Sequence, residues 1–182
     1  MPGATFLRGD DLSLRAVTPG DYGFLHEHGN DPAIRKGAPT PRPVSEDDLA
    51  EFVEADDRSV QFLPCRDGTP VGFAFLFDIE PDRDHAEVGC WIAPEEQGNG
   101  YATEATALCL EHAFADRGLH KVFARVFEHN DPSMRVLETL GFQQEGCLRE
   151  QDYIRGAYRD TYLFGLLAGE WEQVRESQPV SQ

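Results

Sequence analysis

The stretch AEVGCWIAPEEQGNGYATEATALCLEHAFADRG, residues 86–118, decides how the chain is built. Its first eight residues, Ala86 to Ala93, read as a strand that Pro94 ends. From about Thr103 to Arg117 the apolar positions Leu108, Leu110 and Phe114 predict the longest helix, with Gly118 as its C-terminal cap. Between them lies Gln97-Gly98-Asn99-Gly100-Tyr101-Ala102. Gly98 and Gly100 can take backbone angles closed to other residues, so their amides can converge on one point. The helix start just beyond adds unpaired N–H groups and the positive end of a dipole. Strand, glycine turn and helix start together predict a phosphate or pyrophosphate site. A plain tight turn is the simpler alternative. The turn is neither G-x-x-x-x-G-K-[ST] nor a full G-x-G-x-x-G, because position 103 is Thr.

Working outward, Leu12–Ala16 alternates as a first strand, and Thr18 with Asp21 resembles a capping box opening a short helix through Phe24, Leu25 and His28. Pro39, Pro41 and Pro43 mark a loop over Lys36–Val44; Ser45 with Asp48 forms a second capping box, followed by a helix burying Leu49, Phe52 and Val53. Strands Val60–Cys65 and Val71–Ile79 flank Asp67-Gly68, a strong hairpin signal, and Asp82–Asp84 makes the next turn. Downstream come a strand at Lys121–Phe127, a short helix at Asp131–Leu140 stopped by Gly141, and strands near Phe142–Arg149 and Thr161–Leu167. This order predicts one α+β (α/β layered) domain over residues 1–182 around a mixed, mostly antiparallel sheet of about seven strands, with residues 1–10 and 173–182 as loose termini.

The chain carries a formal charge of −17 from 33 acidic and 16 basic residues, only two of them lysines, Lys36 and Lys121. It has no basic footprint for nucleic acid, no run of about 18 apolar residues to span a membrane, and no basic-then-apolar leader. A cytoplasmic protein with no nucleic-acid or membrane partner is the expectation. The diffuse acid reads as a solubility feature, suited to a salt-rich interior. Cys65, Cys90, Cys109 and Cys147 show no metal-ligand spacing, so no metal is implied; Cys90 and Cys109 sit within apolar patterns as core residues.

The glycine turn resembles motif A of the GNAT acetyltransferases, Q/R-x-x-G-x-G/A, read here as Gln97, Gly100 and Ala102. The later segments AFADRGLHKVFARVFEHNDPSMRVLETLGF, EGCLRE and GAYRDTYLFGLLAGEW are similar to the RimJ/RimL-like branch, which acetylates protein N-termini and related amines. The resemblance covers about Leu12 to Trp171 and implies the GNAT fold, with acetyl-CoA as acyl donor. It places the pyrophosphate on Gln97, Gly98, Asn99, Gly100, Tyr101, Ala102 and Thr103. The pantetheine arm then pairs with the backbone near Trp91 and Ile92, and Asn130 and Ser133 complete the site. Glu87, on the same strand, is the candidate base; as a bare strand carboxylate it could equally be a solvated surface group. Ser133 is the candidate hydrogen-bond donor to the CoA sulfur, while Asn130 and Asp131 also suit helix capping. The place where many GNAT enzymes carry a tyrosine holds Leu137. Tyr153, Tyr158 and Asp160 border the acceptor site or are plain strand and loop residues, and the first helices with the loop at Ala38–Val44 shape the acceptor pocket.

The function this implies is N-acetyl transfer by direct attack to a primary amine, foremost a protein N-terminal α-amine. A polyamine, amino acid or aminoglycoside acceptor, a non-catalytic acyl-CoA-binding module and a homodimer stand as alternatives. Because an acidic chain repels an anionic ligand and salt screens that repulsion, calorimetric titration should show CoA binding tighten as salt is raised. Tighter binding at low salt would contradict this.

Overall fold

The computed structural model describes residues 2–37, 42–54, 58–80 and 82–177. Among these residues nine strands form one sheet: β1 (Thr5–Arg8), β2 (Ser13–Ala16), β3 (Val60–Arg66), β4 (Thr69–Pro70), β5 (Gly72–Glu80), β6 (His85–Ile92), β7 (Lys121–Phe127), β8 (Gln143–Ile154) and β9 (Ala157–Leu167). Their order is β1-β2-β3-β5-β6-β7-β9-β8, with the two-residue β4 beside β3. Every pairing is antiparallel except β6 with β7. A parallel pair needs a long crossover, and α3 (Tyr101–Glu111) supplies it. The other helices are α1 (Tyr22–Gly29), α2 (Glu46–Val53), α4 (Asp131–Thr139) and α5 (Ala168–Ser177).

Alternation along the strands divides the core in two. On one face Ala86, Val88 and Ile92 of β6 join Ala105, Cys109 and Leu110 of α3, Leu137 of α4 and Trp171 of α5. On the other, Leu63, Cys65 and Phe73 pack against Tyr22 and Leu25 of α1 and Leu49 of α2, with Trp91 at the margin. The Ser45–Asp48 capping box is present, each partner bonding the other's backbone N–H, at 3.1 and 2.8 Å. At Thr18 both the backbone N–H and the hydroxyl donate to Asp21 Oδ2, at 2.8 and 2.7 Å, while Asp21 N bonds Thr18 O, and this cap opens a single 3-10 turn, Pro19–Asp21, before α1.

The sheet has nine strands where about seven were expected, and the termini expected to be loose carry β1 and α5. Trp171 is 6% exposed and docks α5 on the core. The helix expected over Thr103–Arg117 starts two residues earlier and ends as a π-helical turn at His112–Asp116, with Gly118 beyond it at φ +64. Both long hairpins close through two residues in the left-handed region, Asp67-Gly68 and Arg155-Gly156. That is the turn whose twist matches antiparallel strands. The second carries β8 and β9 well past the lengths read from sequence. Pro39 and Pro41 lie outside the described residues.

Glu104, in the first turn of α3, reaches back to the β1–β2 turn, where Oε1 accepts from Asp11 N at 2.9 Å and Leu12 N at 3.0 Å. This carboxylate ties the far sheet edge to the helix that opens the site. Glu104→Ala should cost about 1–2 kcal/mol in urea unfolding and speed amide exchange at Leu12; unchanged exchange there would refute the tie.

Candidate active site

Beta strands 6 and 7 are paired only over His85–Glu87 and Lys121–Phe123. Beyond Glu87 the two strands part, and β6 runs on unpaired on that side. Main-chain parity says which groups line the fork, since the N–H and C=O of one residue point to the same side and alternate along a strand. Asp84 O accepts from His120 N on the β7 side, Ala93 N donates to Val71 O on the β5 side, and Ile92 O accepts from a side chain in the fork. Val88, Cys90 and Ile92 therefore present backbone to the fork. Trp91 spends its backbone on β5 and lines the fork only with its indole, so the strand edge expected near Trp91 and Ile92 centres on Cys90 and Ile92.

Gly98 and Gly100, at φ +82 and +83, turn the chain into α3. Gly100 is the N-cap and has no side chain with which to cap. Glu104 N bonds Gly100 O at 3.1 Å, while the amides of Tyr101, Ala102 and Thr103 find no protein acceptor among the described residues. Uncapped helix amides at an open corner are the donors an anion needs. Gln97 braces the turn, its Nε2 donating to Ile92 O at 2.9 Å, and Asn99 Nδ2 holds Glu96 O at 3.0 Å.

A cavity of about 1060 Å³ fills the fork. Glu87, Trp91, Ile92, Gln97, Gly98, Gly100, Tyr101, Ala102, Thr103, Asn130 and Ser133 all line it; Asn99 does not. At its α4 side Asn130 Oδ1 accepts from Ser133 N at 3.3 Å, which caps the helix and leaves Asn130 Nδ2 and the Ser133 hydroxyl uncommitted to that bond. His129 Nε2 lies 3.0 Å from Lys36 O, which pins a loop carrying Ile34 and Gly37 over the cavity. Cys90 also lines it, and burial pushes its thiol up to about 12. A thiol held protonated is no nucleophile.

Glu87 is 5% exposed and is not a solvated surface group. Both its oxygens are held by Arg125 of β7: Nε lies 3.0 Å from each, and Nη2 lies 2.7 Å from Oε2. That bond raises the guanidinium further above its usual value. Sequence reading missed Arg125, because its meeting with Glu87 depends on the parallel register. Tyr153 and Tyr158 stand exposed at the hairpin tip, their rings 5.2 Å apart, and neither lines the cavity. Asp160 is structural: it accepts Glu150 N at 2.7 Å inside a strand irregularity.

The profile of the Acetyltransferase (GNAT) domain family matches residues 11–143. The chain belongs to the GNAT acetyltransferase family. It is similar to the SPbeta prophage-derived uncharacterized N-acetyltransferase YokL of Bacillus subtilis, 32% identical over 173 residues that cover 92% of this chain and 96% of that protein. The spermidine N-acetyltransferase of Vibrio cholerae, solved with CoA and spermine, superposes at a TM-score of 0.85 with 28% identity, covering 90% of this chain and 99% of the other. Mycobacterium smegmatis RimJ, solved with CoA-disulfide, is 24% identical at a TM-score of 0.81, covers 93% and 90%, and shows the fold alone. The enzyme is thus an acetyl-CoA-dependent N-acetyltransferase. The uncapped amides and the unpaired β6 edge fit that donor, the first its pyrophosphate and the second its pantetheine amides.

Two glycines with the same backbone angle separate binding from folding. Gly68 and Gly100 both sit at φ +83, and a methyl group at either meets nothing within 4 Å. Alanine should cost each about 1–2 kcal/mol of stability. Only Gly100→Ala should weaken CoA binding, by about tenfold or more as the methyl takes up open space an anion on those amides would need. Equal CoA affinity in both variants, read by calorimetry, would remove the glycine turn from the site.

Proposed function

We propose that the enzyme passes the acetyl group of acetyl-CoA to the α-amine of a protein N-terminus by direct attack, as in the RimJ/RimL-like branch. The observation that carries the choice of acceptor is the two-pronged Glu87–Arg125 ion pair. Both oxygens of that carboxylate already accept from a guanidinium, which leaves little lone-pair capacity for a further proton. An α-amine titrates near ~7.7–8.0, against ~10.4 for a lysine-type amine, so it gives up its proton the more readily to such a partner. The chain is read as one acetyltransferase domain, 1–182, working in the cytoplasm, where acetyl-CoA and new N-termini meet.

In this reading the amides of Gly98 to Thr103 hold the pyrophosphate, with Gln97 and Asn99 fixing the turn. The fork edge of β6 and Asn130 Nδ2 align the pantetheine arm. The amine nitrogen attacks the thioester carbon, an N–C bond forms and the C–S bond breaks. Glu87 takes the amine's proton through one water while keeping Arg125. The Ser133 hydroxyl donates a hydrogen bond to the departing sulfur, which solvent then protonates. The half-buried Cys90, its thiol held above its ordinary value, supports transfer without an acyl-enzyme.

A second reading, a polyamine acceptor, has support from the Vibrio cholerae relative solved with spermine and from the charge of −17, which attracts polycations. A kinetic panel of peptides with free N-termini against spermidine separates the two. The peptides are expected to give the larger kcat/KM by tenfold or more. Glu87→Gln should lower kcat by about 10²–10⁴, with CoA affinity retained. A reversed ranking selects the polyamine reading, and CoA binding with no acetylated amine would leave a non-catalytic module.

A further inference from the structure

The cavity holds a second carboxylate that none of the site motifs contains. Asp152, on β8, lines the wall that also carries Glu87 and Arg125. Strand register puts all three on one face of the sheet, since Glu87 aligns with Phe123, Arg125 stands two residues along β7, and Phe127 aligns with Thr161 of β9. Asp152 differs from Glu87 in how it is held. Its Oδ2 accepts from the Thr161 hydroxyl at 2.6 Å, and Thr161 is 2% exposed. Its Oδ1 has no hydrogen-bond partner among the described residues. One oxygen is clamped and the other is free.

The chain goes to some length to place it. Leu148 aligns with Thr161 and Asp152 with Arg159, so three β8 residues, 149–151, stand opposite Asp160 alone. In a regular ladder residue 150 would face Arg159. The two-residue excess brings Asp152 there instead, within reach of Thr161. Glu150 takes φ +48 to make the excess, and Asp160 holds it through Glu150 N. Irregularities of this kind re-aim side chains beside active sites.

We propose that Asp152 binds the cationic form of the acceptor amine through Oδ1 and sets the enzyme's preference for amines over neutral acyl acceptors. The assignment rests on reading this cavity as the acetyl-transfer site. Glu87, tied to Arg125, acts on the proton; Asp152 captures the ammonium before it is deprotonated.

The test uses the full chain and two probes, an alanine-starting pentapeptide and spermidine, in steady-state kinetics and in calorimetric titration of CoA-loaded protein. Asp152→Asn should raise KM and Kd for whichever amine the wild type uses by about 10- to 100-fold, the range for losing a charge-assisted bond. The KM for acetyl-CoA should stay within about twofold. Asp152→Glu should recover part of the loss, and Thr161→Val, which frees the clamp, should give a smaller rise. Asp67→Asn removes the same charge from an exposed hairpin turn outside the cavity lining and should leave amine KM unchanged. An unchanged amine KM in Asp152→Asn, or one matched by Asp67→Asn, overturns the proposal while leaving acetyl transfer intact. A wild type that binds and acetylates neither amine overturns both readings.

Discussion

The parting of β6 from β7 after Glu87 is the constraint on which the rest of the site depends. A sheet interior normally pairs every backbone N–H and C=O. Here a central strand has no strand partner on one side beyond Glu87, and its Cys90 and Ile92 backbone faces a cavity instead. Such a gap persists only if its vertex is fixed, and the Glu87–Arg125 pair sits at that vertex. Glu87 is the last β6 residue in the parallel ladder, and Arg125 reaches it from two residues further along β7. Hydrogen bonding stops and an ion pair takes over. A pair with its carboxylate buried and its guanidinium exposed adds little net stability, so its worth here lies in holding two strands at a defined divergence. In the proposed mechanism the same pair commits the carboxylate that takes the amine's proton, which ties the shape of the fork to the chemistry.

An acidic protein that binds a multiply charged anion needs donors whose charge does not come from side chains. The helix start at Tyr101–Thr103 provides them, because N–H dipoles stay in place whatever the surface carries. Their contribution is local, falling off within a helical turn. Long-range repulsion from 33 acidic residues acts over a Debye length and is screened by salt. The two effects are therefore separable, and a salt-rich medium leaves the first while removing the second.

Much of this was legible in the sequence, for reasons that can be stated residue by residue. The glycine turn, the β6–α3–β7 unit and the Ser45 capping box are local, and local chemistry sets them. Asp67-Gly68 was readable as a hairpin because both residues are favoured at positive φ. Arg155-Gly156 adopts the same turn, yet arginine gives no such signal, so β8 and β9 read too short. Beta strand 8 is exposed along most of its length and shows no alternation to follow. Helix α5 presents only Trp171 and Val174 to the core and offers too short an apolar stripe. The site residues that went unread, Arg125, Asp152 and Cys90, are set by register: a parallel pairing that brings together side chains 38 residues apart, a two-residue strand excess, and backbone parity. None of these leaves a mark in composition or spacing.

Two helices begin at the cavity, and their ends are finished differently. Helix α3 has a glycine N-cap, leaving its first amides open. Helix α4 has Asn130, whose side chain satisfies the amide of Ser133. An uncapped end attracts anions; a capped end has spent its donor and offers none. In the proposed reading the pyrophosphate of the donor goes to α3, since the cap at α4 has already taken up the Ser133 amide. With its amide occupied, Ser133 brings its hydroxyl alone to the cavity, which suits the role proposed for it at the departing sulfur. On that reading the orientation of a long, flexible donor follows from which helix end is capped, by a side chain at position 130 against a bare glycine at position 100.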